Sequence, residues 1–124
     1  MSYDLKMTCK SGFLHAEVTG IRSVDTIVDA ARRIIEECST AMTSKVLVDV
    51  RQLQGRLDTL EAYQIPAETF EDLRRPGVIK AAAIVDHPEY LDRGRFFETV
   101  AQNRGFNLRI FGDVDEAVQW IEGG

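Results

Sequence analysis

Apolar and polar residues alternate from Leu5 to Lys10, with Leu5, Met7 and Cys9 pointing one way and Lys6, Thr8 and Lys10 the other. After Ser11-Gly12 the alternation resumes, with Leu14, Ala16 and Val18 set against His15, Glu17 and Thr19. A period of two with a turn between predicts a β-hairpin whose strands each have one solvated face. The period then changes. Val24, Ile27, Val28, Ala31, Ile35 and Cys38 recur at helical spacing behind Ser23, a residue suited to cap a helix N-terminus. The opposite face carries Asp29, Arg32, Arg33, Glu36 and Glu37, which predicts Asp29–Arg33 and Arg33–Glu37 pairs four residues apart.

Val46-Leu47-Val48-Asp49-Val50 is apolar on both alternations, as in a central strand covered on two faces. Ile79 to Val85 reads the same way, and its Ala81-Ala82-Ala83 run leaves room for helices to approach closely. Phe106 to Phe111, interrupted by Asn107 and Arg109, predicts an edge strand. Asp-x-x-Glu follows three of these runs, at Asp58/Glu61, Asp86/Glu89 and Asp113/Glu116. An Asp cap accepts the free N–H groups of a starting helix, and a Glu three residues on reaches back to the cap's own N–H, so each pair predicts a helix start. The helix from Asp58 toward Leu73 should break or kink at Pro66, with Pro66 in the first turn of its main part, and stop at Arg75-Pro76-Gly77. The next should bury Tyr90, Phe97, Val100 and Ala101 and end at Gly105, and the last should bury Val114, Ala117, Val118 and Ile121.

The predicted order is ββαβαβαβα: an α/β fold with an N-terminal β-hairpin followed by βαβαβα, a five-stranded, mostly parallel sheet and four helices, in one domain over residues 1–124. Right-handed crossovers would gather the helix N-termini along the carboxyl edge of the sheet, where ligands of such sheets bind. That edge would hold Gly20-Ile21-Arg22, the stretch from Arg51 to Asp58, Asp86-His87 and Gly112-Asp113.

With 124 residues the chain can bury roughly two-thirds of its unfolded surface, so a core needs no staples. Its net charge of −5 argues against a nucleic-acid binder. The start Met1-Ser2-Tyr3-Asp4 lacks the features of a secretory leader, and no apolar run approaches the ~20 residues that span a bilayer, so a cytoplasmic protein without membrane insertion is expected. The two cysteines, Cys9 and Cys38, read as reduced. They and the two histidines, His15 and His87, have no ligand spacing, so neither a metal nor a cofactor is expected. Phosphate-cradling glycine loops and a Gly-x-Ser-x-Gly elbow are both missing.

Several residues still invite a functional reading. Asp49, Arg51 and Arg56 read either as an anion site or as a pair bracing a loop. His87 reads as a general base beside Asp86 or as a first-turn residue. His15 and Glu17 read as surface partners of Lys6 or Lys10. Phe13, Tyr63, Phe70, Tyr90, Phe96, Phe97, Phe111 and Trp120 read as core or as the lining of an apolar groove. Phe96 and Phe97 diverge by roughly 100° on a helix, so one of them should face outward.

Leu47-Val48-Asp49-Val50-Arg51 followed by Gly55, and Phe111 with Asp115-Glu116-Ala117-Val118-Gln119-Trp120-Ile121, resemble the middle-strand turn and closing helix of SpoIIAA-like (STAS-like) domains. The resemblance spans nearly the whole chain. It implies a non-catalytic regulatory module that binds a protein partner. Antagonists of anti-sigma factors in that group are switched by phosphorylation at the start of the helix after the middle strand. The matching position here is Thr59, without the serines and glycine usual there and with Glu61 close by. The fold also resembles the lipid-binding half of CRAL-TRIO proteins. Two functions are therefore expected, ahead of an enzyme of unknown class. One is an interaction module, acting on a protein partner or on a second copy as a homodimer. The other is a carrier or sensor of a small apolar ligand or lipid. The expected partner or ligand surface comprises Arg51, Arg56, Asp58, Thr59, Tyr63, His87 and Phe96. A homodimer would use apolar sheet surface left uncovered by four helices, with Phe96 or Phe97 at its interface.

Overall fold

The computed structural model describes residues 3–73 and 78–123. The stop expected at Arg75-Pro76-Gly77, and Met1 and Ser2 of the expected start, lie outside them. Strands β1 (Tyr3–Lys10) and β2 (Phe13–Ile21) form the hairpin, followed by α1 (Val24–Ala41) and β3 (Lys45–Gln54). Then come α2 (Thr59–Gln64), a π-helical turn (Ile65–Thr69) and α3 (Phe70–Leu73) in one continuous helical segment. Strand β4 (Ala81–Val85) leads through a 3₁₀ turn (Pro88–Tyr90) into α4 (Leu91–Asn103), and β5 (Leu108–Phe111) leads into α5 (Val114–Gly123). The five strands lie in the order β1-β2-β3-β4-β5, with β1 antiparallel to β2 and the rest parallel. This is the predicted α/β architecture, and β5 is an edge strand as expected.

Each parallel crossover joins neighbouring strands, so α1, α2–α3 and α4 share one face of the sheet. There Ala30, Ile34 and Cys38 of α1 pack on Leu14, Ala16, Val18, Val46 and Val48, and Ala101 of α4 packs on Leu108 and Ile110. On the other face, α5 sets Ala117 and Ile121 against Leu47, Ala81, Ala83, Val85 and Phe111. The alanines of β4 allow that close approach. The part of this second face beyond α5 carries Lys6 opposite Glu17 and Thr8 opposite His15, next to Asp49. It is polar, so among the described residues this face offers no uncovered apolar sheet of the kind a homodimer would use. Lys6 is the cross-strand neighbour of Glu17, whereas Lys10 faces Phe13.

The helix starts fall where predicted, with local differences. Ser23 caps α1 through its hydroxyl and the Thr26 N–H, 3.2 Å apart. Asp58 and Glu61 form the full reciprocal capping box, at 2.8 and 3.0 Å. Asp113 accepts the Asp115 N–H. Asp86 is no cap: its carboxylate is taken by Arg22, and Pro88 opens the following turn behind His87. At Pro66 the regular α-helix is interrupted as expected, although the chain stays helical. The chain widens there by one residue into a π turn, closed by the Phe70 N–H on the Ile65 carbonyl, which absorbs the hydrogen bond that proline cannot make. Helix α4 ends at Asn103, and Gly105 follows with φ +87°, the left-handed geometry a glycine favours after a helix. On α1 the surface pairs also shift: Asp29 pairs with Arg32, and Arg33 reaches the Tyr3 hydroxyl.

The fully buried line of α1 is Thr26, Ala30, Ile34 and Cys38. The predicted stripe through Ile27, Ala31 and Ile35 lies beside it and is only half-buried, although it too faces the sheet side. The reason is a cavity.

Candidate functional site

A cavity of about 440 Å³ lies between the helix layer and the sheet. Its floor is Val18, Val46, Val48, Val50, Ala82 and Ile84 of the strands. Ile27, Ala31 and Ile35 of α1, and Phe70 and Phe97 of the later helices, line its opposite wall, and the space is partly open to solvent. This lining is apolar because each of these strands alternates and turns the same face toward the helices. A volume of this order belongs to the range of small-molecule sites, roughly 300–1,000 Å³.

One end of the cavity is polar, and lies at the carboxyl edge of the sheet. Arg22 follows β2, Arg56 follows β3, and Asp86 follows β4 with Tyr90 and Arg93 behind it. Arg22 is held on four acceptors. Nη1 and Nη2 donate to the two Asp86 oxygens at 3.1 and 3.0 Å, Nη2 also to the Val50 carbonyl at 3.3 Å, and Nε to the Gly55 carbonyl at 3.0 Å. Gly55 makes that turn with φ +93°. The Tyr90 ring is flanked by two guanidiniums, with Cζ of Arg56 at 4.7 Å and of Arg22 at 5.5 Å from its centre. Arg93 donates to the Leu57 carbonyl at 2.6 Å.

The residues singled out in the sequence fall into separate groups. Asp49 and Arg51 are on the α5 face. Arg51 Nε and Nη2 donate to the two Asp49 oxygens at 3.0 and 2.7 Å, and the Arg51 N–H also donates to Asp49. Arg56 is on the opposite, cavity side, so the structure does not assemble the Asp49–Arg51–Arg56 cluster; the pair braces its strand end. Burial works to raise the Asp49 pKa, but the hydrogen bonds and charge of Arg51 outweigh it and hold the carboxyl below its ordinary 3.8. The same bonds raise the Arg51 pKa further. A carboxyl whose folded pKa is depressed stabilises the fold above its unfolded pKa, and that contribution is lost as pH falls through the folded value. Asp49→Asn is therefore expected to destabilise the protein at neutral pH, with the deficit shrinking toward ~pH 3. Urea unfolding of both proteins at the two pH values reads this directly; a constant deficit would contradict it.

Asp58 and Thr59 begin α2, with Thr59 exposed. Tyr63 and Phe96 are 37% and 40% exposed, with Leu60 at 62% on the same helical layer, while Phe97 turns inward as the other half of the predicted divergence. The ring of His87 stands edge-on to Tyr90 at 5.6 Å, and its backbone N–H bonds to Asp86. Because Asp86 is committed to Arg22, it does not orient the His87 ring as a base. Cys9 is exposed and Cys38 buried, and burial, with the Glu37 charge beside it, pushes the Cys38 thiol up to about 11. Among the described residues no three His, Cys, Asp or Glu side chains converge to hold a metal ion. No helix among them is long and apolar enough to cross a membrane.

The sequence pattern places Arg22, Arg56 and Asp86 on one edge and offers Tyr90 as a groove residue, but it does not join them into one site and gives no sign of Arg93. They come from three separate loop and helix starts, and only the strand register brings them together.

An α/β sheet of this order, with three helices on one face and one on the other, is the SpoIIAA-like, or STAS-like, fold. The structure is similar to an anti-sigma factor antagonist from Mycobacterium paratuberculosis, at 14% identity and a TM-score of 0.61, over 98% of this chain and 95% of that one. It is also similar to an uncharacterised protein of the DUF3478 family with a SpoIIAA-like fold from Shewanella loihica PV-4, at 16% identity and a TM-score of 0.58, over 96% and 93% of the two chains. No family model and no curated protein matches the sequence.

Proposed function

We propose that this protein is a non-catalytic STAS-like regulatory module that senses a small apolar ligand held between its helices and its sheet. The observation that carries this reading is the 440 Å³ apolar cavity. An engineered apolar cavity of about 150 Å³ stays dry and takes up benzene, and this one is roughly three times larger. The space is partly open to solvent, so an apolar occupant would displace water from its aliphatic lining.

A protein partner fits the same reading. The α2–α4 layer that roofs the cavity also presents Leu60, Tyr63 and Phe96 outward, so a ligand beneath it can alter what a partner meets above. Thr59, exposed at the start of α2, is where a phosphate would act on that surface.

Native mass spectrometry of the freshly purified protein, followed by denaturing mass analysis, tests the proposal. The expected result is one released small apolar molecule per chain. A chain with no added mass, which also takes up no hydrophobic compound on incubation, would leave only the partner-binding part standing.

A further inference from the structure

Resting on that ligand reading, we propose that the occupant is a single-chain amphiphile with an anionic head, its carboxylate or phosphate seated among Arg22, Arg56 and Arg93 and its tail in the apolar cavity. Polarity is distributed along the cavity in the way such a molecule requires. The floor and roof are aliphatic and aromatic, Arg22, Arg56 and Arg93 line the end at the carboxyl edge of the sheet, and Lys80 and Asn107 lie at the amino edge. Only Arg22 is neutralised there, by Asp86. Among the described residues neither Arg56 nor Arg93 has a carboxylate partner within ion-pair distance. Asp92 lines the adjoining surface hollow with both, which leaves the local balance at one excess positive charge when Asp86 and Asp92 are counted against the three arginines.

That excess is notable in a chain whose net charge is −5. Arg22 and Arg56 both lie against the Tyr90 ring, with Cζ 5.5 and 4.7 Å from its centre. An anionic head beside that ring is attracted by both guanidiniums and can accept hydrogen bonds from the donors left free on them. A neutral apolar ligand leaves those donors without a new partner, and a cationic head is repelled. The structure thereby separates an anionic amphiphile from other molecules that would fill the same apolar space.

Isothermal titration with ten-carbon probes of one tail and different heads is the test. Decanoate or decyl phosphate is expected to bind one per chain, at least tenfold more tightly than decanol or decyltrimethylammonium. Whichever of the two anions binds more tightly assigns the head as carboxylate or phosphate. Arg56→Gln and Arg93→Gln should each weaken the anion about fivefold or more and leave decanol unchanged, so decanol also reports that the variant is folded. Decanol binding as tightly as either anion would overturn the head-group inference while leaving the apolar-ligand reading intact. Failure of all four probes would overturn both. Inorganic phosphate or acetate binding as tightly as its ten-carbon counterpart would show an anion site without a tail, and overturn the amphiphile.

Discussion

Arg22→Ala is expected to lower the unfolding free energy by about 3–5 kcal/mol, the cost of leaving one partner of a buried ion pair alone. The Arg22 and Asp86 side chains are each only 10% exposed, and Arg22 also satisfies the carbonyls of Val50 and Gly55. Asp86→Ala should cost a similar amount, because it strands a guanidinium. The informative variant is the double one. Arg22→Met with Asp86→Leu replaces both charges by apolar side chains, and should recover much of either single loss, since a matched buried pair contributes little net stability over well-packed apolar groups. Denaturant midpoints of the three variants at constant slope measure this. A double variant no better than the singles would mean that the two bonds to carbonyls, and not the ion pair, hold the ends of β2 and β3 together.

Leu47→Ala should destabilise by about 2–5 kcal/mol, toward the upper end. Leu47 is fully buried in the central strand, between His15 of β2 and Ala83 of β4, beneath Ala117 and Ile121 of α5. The size of the effect depends on whether neighbours can move into the space. Here several neighbours are alanines with no side chain to extend, so the cavity stays open. Equilibrium urea unfolding is the measurement, and a loss below about 1 kcal/mol would show that α5 settles onto the sheet after all.

The extent to which this molecule was readable in its sequence follows the range of the interactions involved. Strand alternation and the Asp58–Glu61 box are local, and they predicted the elements, their order and the parallel sheet. Pro66 was read correctly as an interruption of the regular α-helix, at the start of the element that follows, but the π turn that satisfies the backbone there has no local signature. Asp86 illustrates a different limit. Its spacing to Glu89 matches that of Asp58 to Glu61, yet a guanidinium arriving from the end of β2 outcompetes the helix N-terminus for its carboxylate. Nothing within a few residues of Asp86 announces Arg22. The same holds for Arg56, which is near Asp49 in sequence and on the other side of the sheet in space. The stripe of α1 carried a subtler message: Ile27, Ala31 and Ile35 looked like core and instead face the cavity, a distinction that depends on what the opposite wall fails to fill.

The arrangement of three helices on one face and one on the other sets an order of events as the chain is made. Each of the three crossovers can be laid down as soon as its next strand emerges, because every strand pairs with its immediate predecessor. The opposite face has no such provision. Leu47, Ala83, Val85 and Phe111 remain open to solvent, and to any passing apolar surface, until residues 114–123 have been synthesised and folded back over them. Closure of the second face is thus a late, single step, and a nascent chain paused before it would present a sticky half-sheet of the kind that chaperones hold.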